Sequence, residues 1–391
     1  MTAYLFLGKY GVKRLFDEQI SVYFMLFSIL MPSMCVQAGN ARMYAMGLFF
    51  FTAAALCACE ILRESSGKKW ILLSLCSIGS VYSHTFSMIE TFMLYLLLLG
   101  VLLWQKKYAL LKWYLGSGLA VALCYMAWLT VIFQQMQYRM GSMGANEELF
   151  IPTMYTLIDY CKEWFSAMDS PITLVIYLGM ALTLFLGYYA VDGMRGSRCY
   201  IPAWGMGIIG LTALTGCLLS YYMTPCFLGR YAFFGFGALA LWYAVGMKQI
   251  SSRRIRAAVL LVFLLCFGLQ YRSELKLEYD RGLQEYEAFY EANVQPEDLV
   301  MATDIHTLYL NIYHPEQRYM AYGYLPPFSP FQNTTVFTEW EQLADVSGTI
   351  WLYAFADRNL PSFAPRYNVE QAFQFHYMYY DFVIYRLVPI E

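Results

Sequence analysis

The sequence has few charged residues. Asp, Glu, Lys and Arg make up 14% of its 391 residues, whereas about 25% is usual in soluble globular domains. Hydrophobic residues make up 59%, so the chain lacks the polar side chains that would cover a water-soluble fold of this length. The shortage excludes a cytosolic enzyme and indicates an integral membrane protein.

Neither sign of charge is in excess, since 26 Lys and Arg stand against 28 Asp and Glu. A nucleic-acid-binding chain would carry a basic excess, and a disordered regulator would carry an acidic tail. We therefore expect no nucleic acid among the partners of this protein.

Cysteine is absent from the last third of the chain, because all ten cysteines precede Arg272. Most of them lie in apolar runs, where a free thiol packs as a small hydrophobic group. No pair has the spacing of a metal site, so the cysteines predict no bound metal. Only Cys161 and Cys226 lie in loops that we place outside the membrane, so these two are the pair that could form a disulfide.

Long apolar runs, by contrast, are frequent. A helix that spans a bilayer needs about 20 mostly apolar residues. Nine runs meet or approach this length, at residues 20–38, 43–62, 70–87, 89–104, 112–134, 172–191, 202–222, 231–247 and 256–271. They predict a polytopic α-helical membrane protein with about nine transmembrane helices.

Basic residues in the loops predict the orientation of these helices. Alternate loops carry fifteen Lys and Arg in all, and the loops between them carry four. Because basic loops face the cytoplasm, an odd number of crossings places the C-terminal domain outside. The loops 39–42, 135–171 and 223–230 would lie on the same extracytoplasmic side of the cell membrane.

A change in composition marks a domain boundary between Tyr271 and Arg272. Seventeen of the 28 acidic residues follow it, and no long apolar run does. We expect residues 1–271 to form the transmembrane bundle and residues 272–391 to form a small extracytoplasmic α/β domain. In that domain we predict helices at 272–291 and 305–313, a turn at 295–298, and strands at 299–303, 318–322, 349–354 and 380–387.

Six residues that could carry chemistry stand near the outer ends of the second, third, fourth and eighth runs. They are Arg42, Tyr44, His84, Glu90, Arg230 and Tyr231. Two arginines and a histidine at one membrane face form an anion site, because the guanidinium fork suits phosphate and helix N-termini add positive charge. A phosphate bound there, with hydrocarbon behind it, is expected to belong to a lipid.

Each residue also has an ordinary structural interpretation. A single arginine commonly snorkels to the interface, a single histidine commonly packs through a hydrogen bond, and tyrosines commonly form the aromatic belt. The functional interpretation depends on their sharing one face, opposite to the face that holds most loop cations.

The loop 135–171 contains five acidic side chains: Glu147, Glu148, Asp159, Glu163 and Asp169. These acids could supply a general base or ligands for a divalent metal, although a solvated loop is the simpler interpretation. The sequence indicates no other cofactor, and it leaves undecided whether the protein binds a divalent metal.

The chain resembles the GT-C superfamily of membrane glycosyltransferases, in particular the dolichyl- or polyprenyl-phosphate-mannose-type and protein O-mannosyltransferase-like members. Three segments carry the resemblance: Ala41-Arg42-Met43-Tyr44, Tyr82-Ser83-His84-Thr85-Phe86 and Gly229-Arg230-Tyr231. They are similar to the family's Glu-Ala-Arg-x-Tyr stretch, its Tyr-Thr-His-aromatic segment and its late Arg-Tyr pair. Their order and the closing α/β domain extend the resemblance over nearly the whole chain.

The resemblance implies a hexosyl or pentosyl transferase that uses a polyprenyl-phosphate-linked sugar outside the membrane and inverts its configuration. Arg42 and Arg230 would contact the donor phosphate. The donor cavity would be lined by Tyr44, His84, Glu90 and Tyr231. The acceptor would be a glycan, a lipid or a protein of the cell envelope, and the lipid bilayer would be a further partner.

Two departures from the family pattern concern catalysis. Family members begin with a further transmembrane helix and an outer loop that bears an acidic base, whereas this chain opens at residues 1–7, which resemble the cytoplasmic end of the family's second helix. Asn40 also stands where the family has an acidic residue. We therefore identify no catalytic base. The alternatives are an inactive, N-terminally truncated form of the transferase, a degenerate paralogue, and an enzyme that obtains its missing piece from a partner.

Three other classes fit parts of the pattern. An O-antigen ligase or polymerase uses lipid-linked sugars, but its large loop lies between late helices. A non-catalytic membrane scaffold or receptor would bind a partner through the C-terminal domain, at an aromatic surface of Tyr322, Tyr324, Phe328, Phe331 and Trp340. A transporter fits least, because no charged residue lies near the middle of a run.

Overall fold

The computed structural model describes residues 2–31, 34, 43–142, 181–190, 201–222, 227–278, 281–302, 314, 317–322, 334–337, 349–355, 367–377 and 380–389. The chain divides into two compact units, Met1–Ser273 and Glu274–Glu391. The first unit is helical, and the second contains a sheet. The composition predicts a boundary between Tyr271 and Arg272, close to this division.

The chain begins with three consecutive helical pieces, α1 (Thr2–Phe6), a π-helical piece (Leu7–Val12) and α2 (Lys13–Leu15). The longer helices that follow are α3 (Glu18–Leu30), α4 (Tyr44–Arg63), α5 (Gly67–Ser83), α6 (Thr85–Trp104), α7 (Leu111–Ser142), α8 (Ala181–Ala190), α9 (Ile201–Tyr222), α10 (Phe236–Gln249), α11 (Arg253–Glu278) and α12 (Gly282–Asn293). Two 3₁₀ helices, at Tyr108–Leu110 and Gly229–Gly235, directly precede α7 and α10.

Among the residues that the structure describes, three helices are long and apolar enough to cross a membrane. They are α4, α6 and the continuous helix Tyr108–Gln134, which includes most of α7. Only 17% of the most apolar part of Tyr108–Gln134 is buried. Its exposed side chains include Leu115, Leu119, Leu123 and Phe133. An apolar face of this length is typical of a helix that contacts lipid, so the chain has the character of a membrane protein.

Where the structure describes the predicted apolar runs, they coincide with helices of unequal length, and some predicted limits are wrong. The run 70–87 does not continue past Ser83, because His84 adopts an extended backbone and ends α5. The next helix begins at Thr85, four residues before the predicted start. This early start places Glu90 more than one turn inside α6, whereas the sequence predicts it at the helix entrance.

The predicted polar helix at 272–291 is wrong in its limits too. α11 runs from Arg253 to Glu278 without a break, because residues 271–278 contain neither glycine nor proline. A separate helix, α12, begins at Gly282. The change in composition therefore falls inside a helix.

Ion pairs join several helix ends at one end of the first unit. One Asp17 carboxylate oxygen accepts a hydrogen bond from Ile20 N at 2.9 Å and caps α3, and the other pairs with Lys248 at the end of α10. Arg14 pairs with Glu60, one turn before the end of α4. These contacts hold the N-terminal segment against α4 and α10.

The sheet of the second unit has six strands in the order β3-β2-β1-β4-β6-β5. They are β1 (Leu299–Ala302), β2 (Arg318–Tyr322), β3 (Thr334–Phe337), β4 (Ile350–Phe355), β5 (Tyr367–Tyr377) and β6 (Tyr380–Pro389). β1 pairs in parallel with β2 and β4, and β2 pairs in parallel with β3. On the other side of β4, the sheet continues with the hairpin β5–β6: β6 pairs antiparallel with β4, and β5 pairs antiparallel with β6.

Asp298 joins the amino ends of the two central strands. Its carboxylate accepts hydrogen bonds from Gln295 N, Thr349 N and Trp351 Nε1, each at 2.9 Å. Its carbonyl oxygen accepts a hydrogen bond from Gln317 Nε2, just before β2. The buried carboxylate is thus matched by three donors, which is the condition for burying a charge without a large loss of stability.

The strands predicted at 299–303, 318–322, 349–354 and 380–387 are confirmed within a few residues. The pattern misses β3, which is only four residues long, and β5, whose alternation is obscured by polar residues. β5 lies at the edge of the sheet and depends on its pairing with β6. The helix predicted at 305–313 lies outside the described residues.

Candidate functional site

Three of the predicted site residues meet at the end of the first unit that lies away from the ion pairs. The His84 ring is 4.7 Å from the Tyr231 ring and 6.0 Å from the Tyr44 ring, measured between centroids. Phe86 stacks on Tyr231 at 5.0 Å, and Phe234 lies 5.5 Å from His84. We call these five residues the ring cluster.

The position of the ring cluster follows from the length of α4. Tyr44 is the first residue of this helix, and Glu60 lies near its end, where it pairs with Arg14. A helix of 20 residues is about 30 Å long. The ring cluster and the ion pairs therefore lie at opposite ends of α4, as expected if the two ends face opposite sides of a membrane.

His84 is oriented by the turn between α5 and α6. Its Nδ1 accepts a hydrogen bond from Phe86 N at 3.1 Å, so the imidazole caps α6 as Asn or Ser caps other helices. A nitrogen that accepts a hydrogen bond carries no proton, and the ring in this arrangement is neutral with its proton on Nε2. Nε2 is therefore a donor, suited to a phosphate or hydroxyl oxygen.

Arg230 and Tyr231 lie on the 3₁₀ helix Gly229–Gly235. Seven residues is long for this conformation, which rarely exceeds three or four. Glycines allow its close packing: a methyl carbon added to Gly47 would lie 2.5 Å from the Phe234 ring. Because Gly47 on α4 has no side chain, the Phe234 ring can pack against this helix, next to Tyr44 and His84.

The Arg230 guanidinium is the cation of this site. Its Cζ lies 5.9 Å from the centre of the Tyr231 ring, within the range of a cation–π contact. Its Nε is buried and has no hydrogen-bond partner. Among the described residues no carboxylate pairs with it.

Glu90 lies on α6, four residues after Phe86. It is fully buried, and neither carboxylate oxygen has a hydrogen-bond partner among the described residues. Its Oε2 is 3.7 Å from the point where a methyl carbon on Gly235 would lie. The carboxyl therefore packs against the inner end of the 3₁₀ helix, where burial of an unpaired charge is costly.

Two predicted features cannot be placed. Arg42 and the loop acids Glu147 to Asp169 lie outside the described residues. Within the described ranges no group of three or more His, Cys, Asp or Glu residues is arranged to hold a metal ion.

The site also contains aromatic residues that the sequence does not identify as functional. Phe86 and Phe234 belong to the ring cluster, and Phe227 lies 5.2 Å from Phe86. The density of aromatic residues between Gly229 and Gly237 is the signal that could have identified the segment. No protein-family model matches the chain, and no curated protein is similar to it in sequence.

Proposed function

We propose that the chain is a membrane-embedded transferase that acts on a lipid-linked phosphate, and more narrowly a GT-C-like glycosyltransferase. It takes a sugar from a polyprenyl-phosphate donor and passes it to a cell-envelope acceptor. The observation that carries the proposal is the Arg230 guanidinium, which lies over Tyr231 and beside a neutral His84 and pairs with no carboxylate among the described residues. A cation and an imidazole donor in an aromatic surrounding suit a phosphate that carries a sugar on one side and a prenyl chain on the other.

In this proposal the chain crosses the cell membrane nine times. The end with the ion pairs faces the cytoplasm, and the ring cluster and the unit Glu274–Glu391 face outward. The greater number of loop cations at the ion-pair end supports this orientation. The apolar exposed face of Tyr108–Gln134 supports contact with lipid.

The proposed reaction is an inverting displacement at the anomeric carbon of the sugar. The acceptor oxygen forms a bond to that carbon as the bond from the carbon to the phosphate oxygen breaks. Polyprenyl phosphate leaves as an anion, and Arg230 stabilises its developing charge. The acceptor's proton passes to an oxygen of the departing phosphate, which leaves as the monoanion, because the ring cluster contains no carboxylate to accept it.

Donor binding tests the proposal most directly. The purified full chain in detergent would be titrated with a short-chain polyprenyl-phosphate sugar. Loss of a charge-assisted contact in Arg230→Ala should weaken binding by about 10- to 100-fold. Arg253→Ala, which removes an exposed arginine at the ion-pair end, is the matched control and should bind like wild type.

Two outcomes would overturn the proposal. The first is a wild-type chain that binds no polyprenyl-phosphate sugar, and the second is an Arg230→Ala chain that binds as well as wild type. Thermal unfolding of each variant would show whether a loss of binding reflects a loss of fold.

A further inference from the structure

A second feature at the ion-pair end of the first unit has no role in the proposed transferase site. The turn between α6 and α7 exposes three large aromatic side chains: Trp104 at 74%, Tyr108 at 59% and Trp113 at 45%. Exposed lysines, Lys106 and Lys112, alternate with them. Aromatic rings beside cations are typical of segments that lie at the headgroup level of a bilayer.

Lys106 adopts a backbone conformation that favours glycine. Its φ is +55°, and it is the one residue other than glycine with positive φ in the described part of the chain. The turn is a Schellman motif, since Lys107 N donates to Leu102 O at 2.8 Å and Lys106 N donates to Leu103 O at 3.0 Å. Glycine usually occupies this position, and a side chain there costs about 1 kcal/mol. A lysine held at this cost is explained if its ammonium group has a ligand.

Lys68 extends the set from the start of α5. A methyl carbon on its neighbour Gly67 would lie 3.4 Å from the Trp113 ring, so the two helix starts are in close contact. Nearby Lys69 lies 3.9 Å from Glu64, whereas Lys68, Lys106 and Lys112 pair with no carboxylate that the structure describes. Three exposed lysines thus stand on the segments that carry these aromatic side chains, and none of them pairs with a described carboxylate.

We infer that this surface is a binding site for the phosphate of an anionic phospholipid headgroup. We define the headgroup site as Lys68, Trp104, Lys106, Tyr108, Lys112 and Trp113. Its occupant is a lipid because the turn joins α6 to the helix Tyr108–Gln134, two of the helices that are long and apolar enough to cross a membrane. Acyl chains that follow these helices bring their phosphate to the turn, where lysines near the surface contribute attraction.

Lipid binding can be measured on the purified full chain by native mass spectrometry. Phosphatidylglycerol is the probe, and phosphatidylcholine is the zwitterionic comparison. The variant Lys68→Gln/Lys106→Gln/Lys112→Gln should bind phosphatidylglycerol about tenfold more weakly, with phosphatidylcholine binding unchanged. The control Lys9→Gln/Arg253→Gln/Arg254→Gln removes three exposed cations elsewhere at the same end and should keep most of the binding.

Lys106→Gly separates ligand binding from structure. It removes the ammonium group and relieves the backbone strain, so its melting temperature should rise while its binding of phosphatidylglycerol falls. A residue with a merely structural role would not change the two quantities in opposite directions.

Three results would overturn the inference. Equal losses in the two triple variants would mean a diffuse positive surface without a site. Equal binding of phosphatidylglycerol and phosphatidylcholine would exclude recognition of the anionic headgroup. Competition by inorganic phosphate as strong as that by the lipid would indicate a site for free phosphate. None of these measurements depends on the transferase proposal.

Discussion

The His84 imidazole lies 4.7 Å from the Tyr231 phenol ring, although the two residues belong to distant parts of the chain. The contact joins the start of α6 to the 3₁₀ helix that carries Arg230. A double-mutant cycle of His84→Ala and Tyr231→Ala should give a coupling free energy of about 1 kcal/mol in thermal unfolding, as for other pairs of aromatic rings in contact. Tyr231→Phe keeps the ring and should unfold like wild type. Additive effects of the two alanine substitutions would contradict the contact.

His84→Asn separates the capping role of the imidazole from its ring contact. Asparagine is a good N-cap, so α6 should keep its stability while contact with Tyr231 is lost. We expect donor binding to fall in this variant with a melting temperature close to that of wild type. A variant that binds the donor normally would show that the imidazole only caps the helix.

Glu90→Leu should stabilise the first unit. The substitution replaces a buried carboxyl that lacks hydrogen-bond partners by an apolar side chain of similar size, and the gain should be about 1–3 kcal/mol. Thermal unfolding in detergent measures the gain, and Glu90→Ala serves as the cavity-forming comparison. If leucine destabilises the unit, the carboxyl has a partner that matches its charge.

The ion pair Asp17–Lys248 predicts that the free energy of unfolding of the first unit depends on pH. Burial raises the pKa of Asp17. The hydrogen bond and charge of Lys248, together with hydrogen bonds from backbone N–H groups, lower this pKa by a larger amount, so the pKa of Asp17 is below its usual value. Because the folded state binds this proton more weakly than the unfolded state, the Asp17 carboxylate stabilises the fold at pH values above the ordinary aspartate pKa. This contribution to stability is lost as the pH falls below about 4. Because the pair is partly exposed, we expect a contribution of about 0.5–1 kcal/mol.

Asp17→Asn and Asp17→Ala separate the ion pair from the cap. Asparagine keeps the cap of α3, so only the ion pair is lost, whereas alanine should cost about 1 kcal/mol more. Unfolding of each variant between pH 6 and pH 3 tests this, and the acid dependence should be weaker in both. Equal stability of the two variants would contradict the capping role.

Gly282→Ala should destabilise the second unit. A methyl carbon at this position would lie 1.6 Å from the carbonyl oxygen of His376, so α12 would have to move away from β5. Overpacking against backbone costs about 1–3 kcal/mol or more. Hydrogen exchange of the β5 and β6 amides measures the loss. Gly268→Ala, where nothing lies within 4 Å of the added carbon, is the control and should leave exchange unchanged.

Much of the fold could be predicted from local sequence. Apolar runs predict where helices form, and alternation predicts four of the six strands. The sequence could not predict that α5 ends at Ser83, since residues 70–87 contain no proline and no Asp, Glu, Lys or Arg, and the break depends on the hydrogen bond between His84 and Phe86 N. Nor could it predict β5, whose polar residues are held in a strand by pairing with β6.

The candidate site was predictable in part. Polar residues at one face of apolar helices identify Tyr44, His84, Arg230 and Tyr231. Their aromatic partners Phe86 and Phe234 could not be distinguished from core residues, because a phenylalanine in an apolar helix has the same sequence signal whether it supports a site or fills a core.

The sequence by itself determined the membrane character, the helical class of the first unit and the presence of a small sheet, because hydrophobicity and its period act over neighbouring residues. Tertiary structure alone decided that Tyr44, His84 and Tyr231 meet, that Glu90 is buried with no hydrogen-bond partner among the described residues, and that Lys106 occupies a position favoured by glycine. Each of these depends on contacts or backbone angles set by packing, and the residue order does not encode them locally.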